Sequence, residues 1–235
     1  MRRGKFFVFD GIDGSGKATQ VKFLVQRFRR LGHHVQTIDF PQYGEKSAGL
    51  IENYLTGTYG DAEKLPPYPT SILYAVDRFD ASFKIKRWLE AGNIVITDRY
   101  ITANIGHQGG KLIKNPSAWK KYVLWDCDLE YRIFGIPKPD QIFILQSDPL
   151  VSKKMLLQKA TSTTKGKKRE GYLKGKKRDL LEKNIVHQTN ALQSFLKFAK
   201  VFSKDCTVVN CIEDGEMLPR DIVHERVWEA MQKFV

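Results

Sequence analysis

Cysteine is scarce in this 235-residue chain, which holds only Cys127, Cys206 and Cys211. An odd number without metal-type spacing excludes a disulfide framework and reads as reduced thiols in a reducing compartment. Long apolar runs are missing too. No stretch approaches the roughly 18 residues of a membrane span. The N-terminal Met1-Arg2-Arg3-Gly4-Lys5 leads through only Phe6 to Asp10 before a glycine-rich stretch, which is too short for a signal segment. A soluble, cytoplasmic chain with no membrane partner is expected. Internal long-range repeats are absent. Acids are in deficit, 26 against 39 Lys and Arg, for a net charge of +13. Such an excess points either to a nucleic-acid or membrane surface or to ligands that are phosphates.

What is present narrows the choice. A hydrophobic fraction of 42% with 11% aromatics suffices for a sizeable core, so residues 1–235 are expected to form a single domain. The charge is not spread evenly. Between Thr161 and Arg178 eight cations (Lys165, Lys167, Lys168, Arg169, Lys174, Lys176, Lys177, Arg178) face one acid, Glu170. This Thr-, Gly- and Lys-rich stretch holds two copies of Gly-Lys-Lys-Arg and reads as a basic flap over about residues 160–178. It lacks interleaved aromatics apart from Tyr172, so nucleic-acid binding is not expected.

Five β-rich segments alternate with helical patterns. Lys5–Phe9 is a continuous apolar run, as a strand buried on both faces requires. His34–Phe40, Asn93–Thr97, Gln141–Gln146 and Thr207–Cys211 are the others. Helices are predicted over Gly16–Leu31, Ser47–Leu55, Thr70–Ala91, Ser117–Phe134, Pro149–Lys159, Leu180–Phe202 and Pro219–Phe234. The alternation predicts an α/β fold with a parallel sheet and helices on both faces.

Gly11-Ile-Asp-Gly-Ser-Gly-Lys17-Ala18-Thr19 follows the first strand and opens a helix. Glycines 11, 14 and 16 let the backbone turn so that several N–H groups meet one anion. The helix N-terminus adds partial positive charge and Lys17 a full one. Gly11, Gly14, Ser15, Gly16, Lys17, Ala18 and Thr19 are therefore expected to bind the triphosphate of ATP. The position after the lysine usually carries a hydroxyl for Mg²⁺ and here is Ala18, so carboxylates, water and phosphates must hold the metal. Asp13 is within reach of the phosphates. Asp98-Arg99-Tyr100 follows the third strand at the carboxyl end of the sheet, where an arginine can clamp a phosphate. Tyr74 and Arg78 lie one turn apart on a helix and share a face.

With these pieces in place the chain resembles thymidylate kinase, of the P-loop nucleoside-monophosphate kinase group. The likeness runs through Asp10–Gln20, Phe40-Pro41, Tyr74–Arg78, Asp98-Arg99-Tyr100, Asn104, Gln108-Gly109-Gly110, Pro137–Asp140 and Asp179–Lys183. The resemblance implies a three-layer α/β/α P-loop fold with a five-stranded parallel sheet and a lid, and transfer of the γ-phosphoryl group of ATP to thymidylate with Mg²⁺. It also implies a homodimer. Lys17, Asp13, Arg99 and Arg169 would be catalytic, with Arg169 supplying from the flap a cation that some members place in the phosphate loop, where this chain has Gly14. Asp13, Phe40, Tyr74, Arg78, Asp98, Arg99, Asn104, His107 and Gln108 would line the acceptor site: Tyr74 stacks on thymine, Arg78 and Arg99 hold the phosphate, Asn104 meets the base edge. His107 stands where an aromatic screening the sugar 2′ side is commoner. Asp13 and Glu182 would hold the metal.

The phosphate of a monophosphate is already a competent nucleophile, so alignment and charge neutralisation carry such a reaction without a strong base. Alternative acceptors are another pyrimidine monophosphate or a deoxynucleoside, the latter needing Asp10 or Asp98 as base.

Overall fold

The computed structural model describes residues 3–160 and 185–235. Its main sheet is five-stranded and parallel, in the order β2-β3-β1-β4-β5. The strands are β1 (Phe6–Asp10), β2 (Val35–Asp39), β3 (Ile94–Asp98), β4 (Gln141–Gln146) and β5 (Cys206–Asn210). Each lies within a residue of its predicted bounds. The central β1 is buried throughout, whereas the edge strands β2 and β5 are only partly buried, each sending one residue to either core: Ile38 and Cys206 to one, Val35 and Val209 to the other. Because successive strand residues face opposite sides, Phe6 and Val8 join one core and Phe7 and Phe9 the other.

Helices cover both faces. α1 (Lys17–Arg30) and α8 (Arg220–Met231) pack on the side of Phe7 and Phe9. On the other side lie α3 (Pro67–Glu90), α4 (Ile101–Gly110), α5 (Pro116–Cys127) and α7 (Ile185–Val201). The short α2 (Gly49–Leu55), after a 3₁₀ turn at Lys46–Ala48, joins a satellite cluster around Tyr54, and α6 (Pro149–Ala160) follows β4. α3 starts earlier than predicted because prolines suit a first helical turn, where the missing N–H has no partner to lose. Asn115 caps α5, its side-chain oxygen accepting from the Ala118 N–H at 3.1 Å. Among the described helices none is long and apolar enough to cross a membrane.

Three departures from the sequence expectation matter. α4 was not predicted, because Gly106, Gly109 and Gly110 argue against a helix. They serve close packing instead. A Cβ on Gly106 would lie 2.2 Å from the Phe195 ring, and one on Gly110 3.0 Å from the Ala191 backbone, both on α7. The predicted helix Ser117–Phe134 is α5 followed by a wider π-helical turn, Asp128–Ile133, which carries Glu130 into the core. A small hairpin, β6 (Ile212–Glu213) with β7 (Glu216–Met217), turns on Asp214-Gly215, whose φ angles of 49° and 76° are those a tight hairpin needs.

Candidate active site

The phosphate loop leaves β1 at its carboxyl end, between β3 and β4, where the order of the sheet reverses and ligands bind in such folds. Gly11, Gly14 and Gly16 have φ of 141°, 85° and 95°, conformations that an L side chain resists. Gly14 is also pressed against α6: a Cβ there would lie 2.5 Å from the Ser152 carbonyl oxygen. The Lys17 ammonium crosses the loop and donates to the carbonyl oxygens of Gly11 and Ile12, both at 3.0 Å. Burial pulls its pKa down. Ser15 is buried with its hydroxyl unpaired among the described residues. Ala18 is exposed.

Facing the loop is Arg99, held at φ 71°, in the left-handed region that only a well-fixed non-glycine residue occupies. Its backbone N–H donates to the Phe9 carbonyl at 2.8 Å. Its guanidinium donates to the Asp13 carboxylate and, at 3.2 Å, to Nε2 of His107. Burial works against its charge, but Asp13, Asp98 and Asp10 outweigh that and raise its pKa well above the usual value. Asp13 is gripped on its other side by Gln188 of α7. The amide donates to the carboxylate at 3.1 Å and accepts from the Asp13 N–H at 3.2 Å.

Arg78 sits elsewhere. Its Nε and one terminal nitrogen donate to the two carboxylate oxygens of Glu130, both at 2.6 Å, inside the core. Asp126 lies beside this pair, and burial plus the Glu130 charge raise its pKa well above the carboxylate range. The Asn104 amide donates to the Ser71 carbonyl and to Asp126 at 3.2 Å, and to Glu130 at 3.4 Å. Tyr74, half-buried, meets Tyr54 edge-on with ring centroids 6.1 Å apart, so it and Arg78 reach different neighbours. Phe40 is a core residue against Tyr100. Gln108 is buried and donates to the Tyr54 hydroxyl at 3.4 Å. Asp98 is half-exposed at the end of β3, with Oδ1 buried and unpartnered among the described residues. Asp10 is enclosed: its Oδ2 accepts from Thr102 at 2.5 Å and from the Tyr100 N–H at 3.2 Å, and burial lifts its pKa to about 6. That removes it from reach as an external base.

The structure thus gathers Lys17, Asp13, Arg99 and His107 at one point. It places Arg78 and Asn104 in an adjoining polar core with Glu130 and Asp126, while Arg169 and Glu182 lie outside the described residues. Gln188, His187 and Glu130 were missed in the sequence. Glu130 was hidden among other charged residues, Asp126, Asp128 and Arg132, and Gln188 and His187 gave no signal.

The profile of the family described as thymidylate kinase matches residues 9–197. The chain belongs to the thymidylate kinase family. It is 33% identical over 147 residues to the thymidylate kinase of Mycobacterium tuberculosis, covering 62% of this chain and 67% of that one. It is 28% identical over 222 residues to the probable thymidylate kinase of Pyrococcus abyssi, covering 94% and 95%. A solved thymidylate kinase from Candida albicans shares the fold, with a TM-score of 0.68 at 22% identity, over 98% of this chain and 92% of that one. The chain is accordingly a nucleoside-monophosphate kinase of the thymidylate kinase family, with an ATP-type phosphate loop.

Proposed function

We propose the following division of labour for the reaction of this family, transfer of the γ-phosphoryl group of ATP to thymidylate. The observation that carries it is the meeting of the phosphate loop with the Asp13–Arg99 pair. Loop N–H groups and Lys17 hold the ATP phosphates, and Lys17 gives up its carbonyl partners to meet them. Arg99 presents its remaining N–H groups to the acceptor phosphate, and Asp13 fixes its orientation. Tyr74 and Asn104 lie towards the base with Gln108 beside them, and His107 lies against Arg99. Arg78, already neutralised by Glu130, lines that part of the acceptor site as a fixed, shape-giving pair more than as a net charge.

Mg²⁺ fits this site through its oxygen donors. Asp13 would hold it, and Oδ1 of Asp98, unpartnered among the described residues, supports a second carboxylate contact, directly or through water. The ion would neutralise charge on the phosphate oxygens. No group of three or more metal-type side chains occurs among the described residues. The crowding at Gly14 leaves no room for a loop arginine, which supports a cation from the flap, Arg169 by sequence. Residues 1–235 read as one kinase domain, and the free cysteines support a cytoplasmic setting. The exposed apolar stripe Ile72, Val76, Phe79 and Phe83 along α3 supports a homodimer. A coupled ADP-release assay across nucleoside monophosphates, with thymidine alongside, tests the function: thymidylate leads the panel, and preference for thymidine or another monophosphate overturns it.

A further inference from the structure

Arg99 is fixed by more than its carboxylate. One terminal nitrogen meets Asp13, and the other donates to Nε2 of His107 at 3.2 Å. Nδ1 of His107 lies 3.3 Å from Nε2 of His187, at the start of α7. The two imidazole planes are 9° apart with centroids separated by 5.5 Å. Rings that far apart bring nitrogens within 3.3 Å only if the nitrogens point at each other. They therefore join edge to edge by an in-plane hydrogen bond, not face to face.

Direction follows from the arginine. Guanidinium has donors and no acceptor, so Nε2 of His107 must be the bare nitrogen that accepts. Its proton then sits on Nδ1 and is donated to Nε2 of His187, whose own proton must be on Nδ1. Both rings are neutral in this chain of bonds, and burial lowers both pKa values, that of His107 well below the ordinary range. The geometry needs α4 close against α7, which Gly106 and Gly110 permit. Phe195 of α7 braces His107 edge-on at 5.7 Å.

We propose that His107 and His187 are positioning residues, which set the guanidinium plane of Arg99 for the phosphate of the acceptor through a directed hydrogen-bond chain running from α7. This rests on reading Arg99 as the phosphate clamp. It assigns His107 a partner in the protein where the family position is associated with the sugar.

Binding of thymidylate and of thymidine, which lacks the phosphate, separates these roles. His107→Phe keeps a ring against Phe195 but accepts nothing; it weakens thymidylate binding about tenfold and leaves thymidine within about twofold. His107→Gln, whose side chain can both accept and donate, stays within about threefold of the parent for thymidylate, and His187→Ala falls between. In an Arg99→Ala background His107→Phe has no further effect on thymidylate. Equal losses of thymidylate and thymidine in His107→Phe, or additivity with Arg99→Ala, overturn the proposal, since the ring then acts on the nucleoside itself. If Arg99→Ala alone leaves the advantage of thymidylate over thymidine intact, the clamp reading falls instead.

Discussion

Two arginine–carboxylate pairs lie at the proposed acceptor site, and they are built for different ends. Arg78–Glu130 is sealed, its side chains 1% and 0% exposed, with both carboxylate oxygens engaged. Arg99–Asp13 is open, at 19% and 10%, on a left-handed backbone and tied to the neighbouring helices by His107 and Gln188. A sealed pair is a commitment of the fold: either charge left alone in the core is costly, so the two are retained or lost together. An open pair keeps donors and electrostatic reach for a ligand, and its strain is maintained by the surrounding contacts. Similar chemistry therefore fixes shape at one place and, in the proposed division of labour, handles phosphate at the other.

The largest effect should come from breaking the sealed pair. Glu130→Ala leaves Arg78 uncompensated and should cost about 3–5 kcal/mol, read as a fall in the urea midpoint. A loss below about 1 kcal/mol would mean that water reaches Arg78 and that the pairs are alike after all. Asp13→Ala should do the reverse, lowering kcat/KM for thymidylate about 10²–10³-fold while stability moves by about 1 kcal/mol or less. A third carboxylate sharpens the contrast, being buried like Glu130 without a bidentate arginine. The native pKa of Asp10 is raised from 3.8 to about 6, so the native state binds its proton more tightly than the unfolded chain does. Below about pH 4 Asp10 is protonated in both states and costs nothing; as pH rises through 6 it costs up to about 3 kcal/mol. Asp10→Asn should therefore be more stable than the parent at pH 7, with the gap closing towards pH 4 in urea titrations. A constant gap would show that lost hydrogen bonds dominate.

The sequence made the strands and the phosphate loop legible because their signals are local: a buried apolar run, glycines at turn positions, a helix start. Arg99 was legible from its place after β3. Its companions were not. Gln188 reaches Asp13 across 175 residues, His187 reaches His107 across 80, and Glu130 reaches Arg78 across 52. A reading based on periodicity has no access to such contacts. α4 was hidden for a related reason: its glycines serve a partner helix far along the chain, against their own helix propensity. The smallest predicted effect concerns the residue that sequence alone nominated. Arg169→Ala should lower kcat about tenfold, about 1.4 kcal/mol of barrier, with the melting temperature unchanged. A silent substitution, beside damage from replacing Lys174, Lys176 and Lys177 together, would move the catalytic cation to the second basic copy.

The grip of Gln188 on Asp13 also bears on how the enzyme comes into being. The phosphate loop is made before its brace, since the side chain that steadies its aspartate comes 175 residues later. Closing so long a span is an entropically costly event, and it cannot happen before α7 has been made. A nascent chain therefore completes the bracing of Asp13 only once α7 has emerged, and truncation ahead of α7 would remove Gln188, His187 and the packing of Phe195 on Gly106 together.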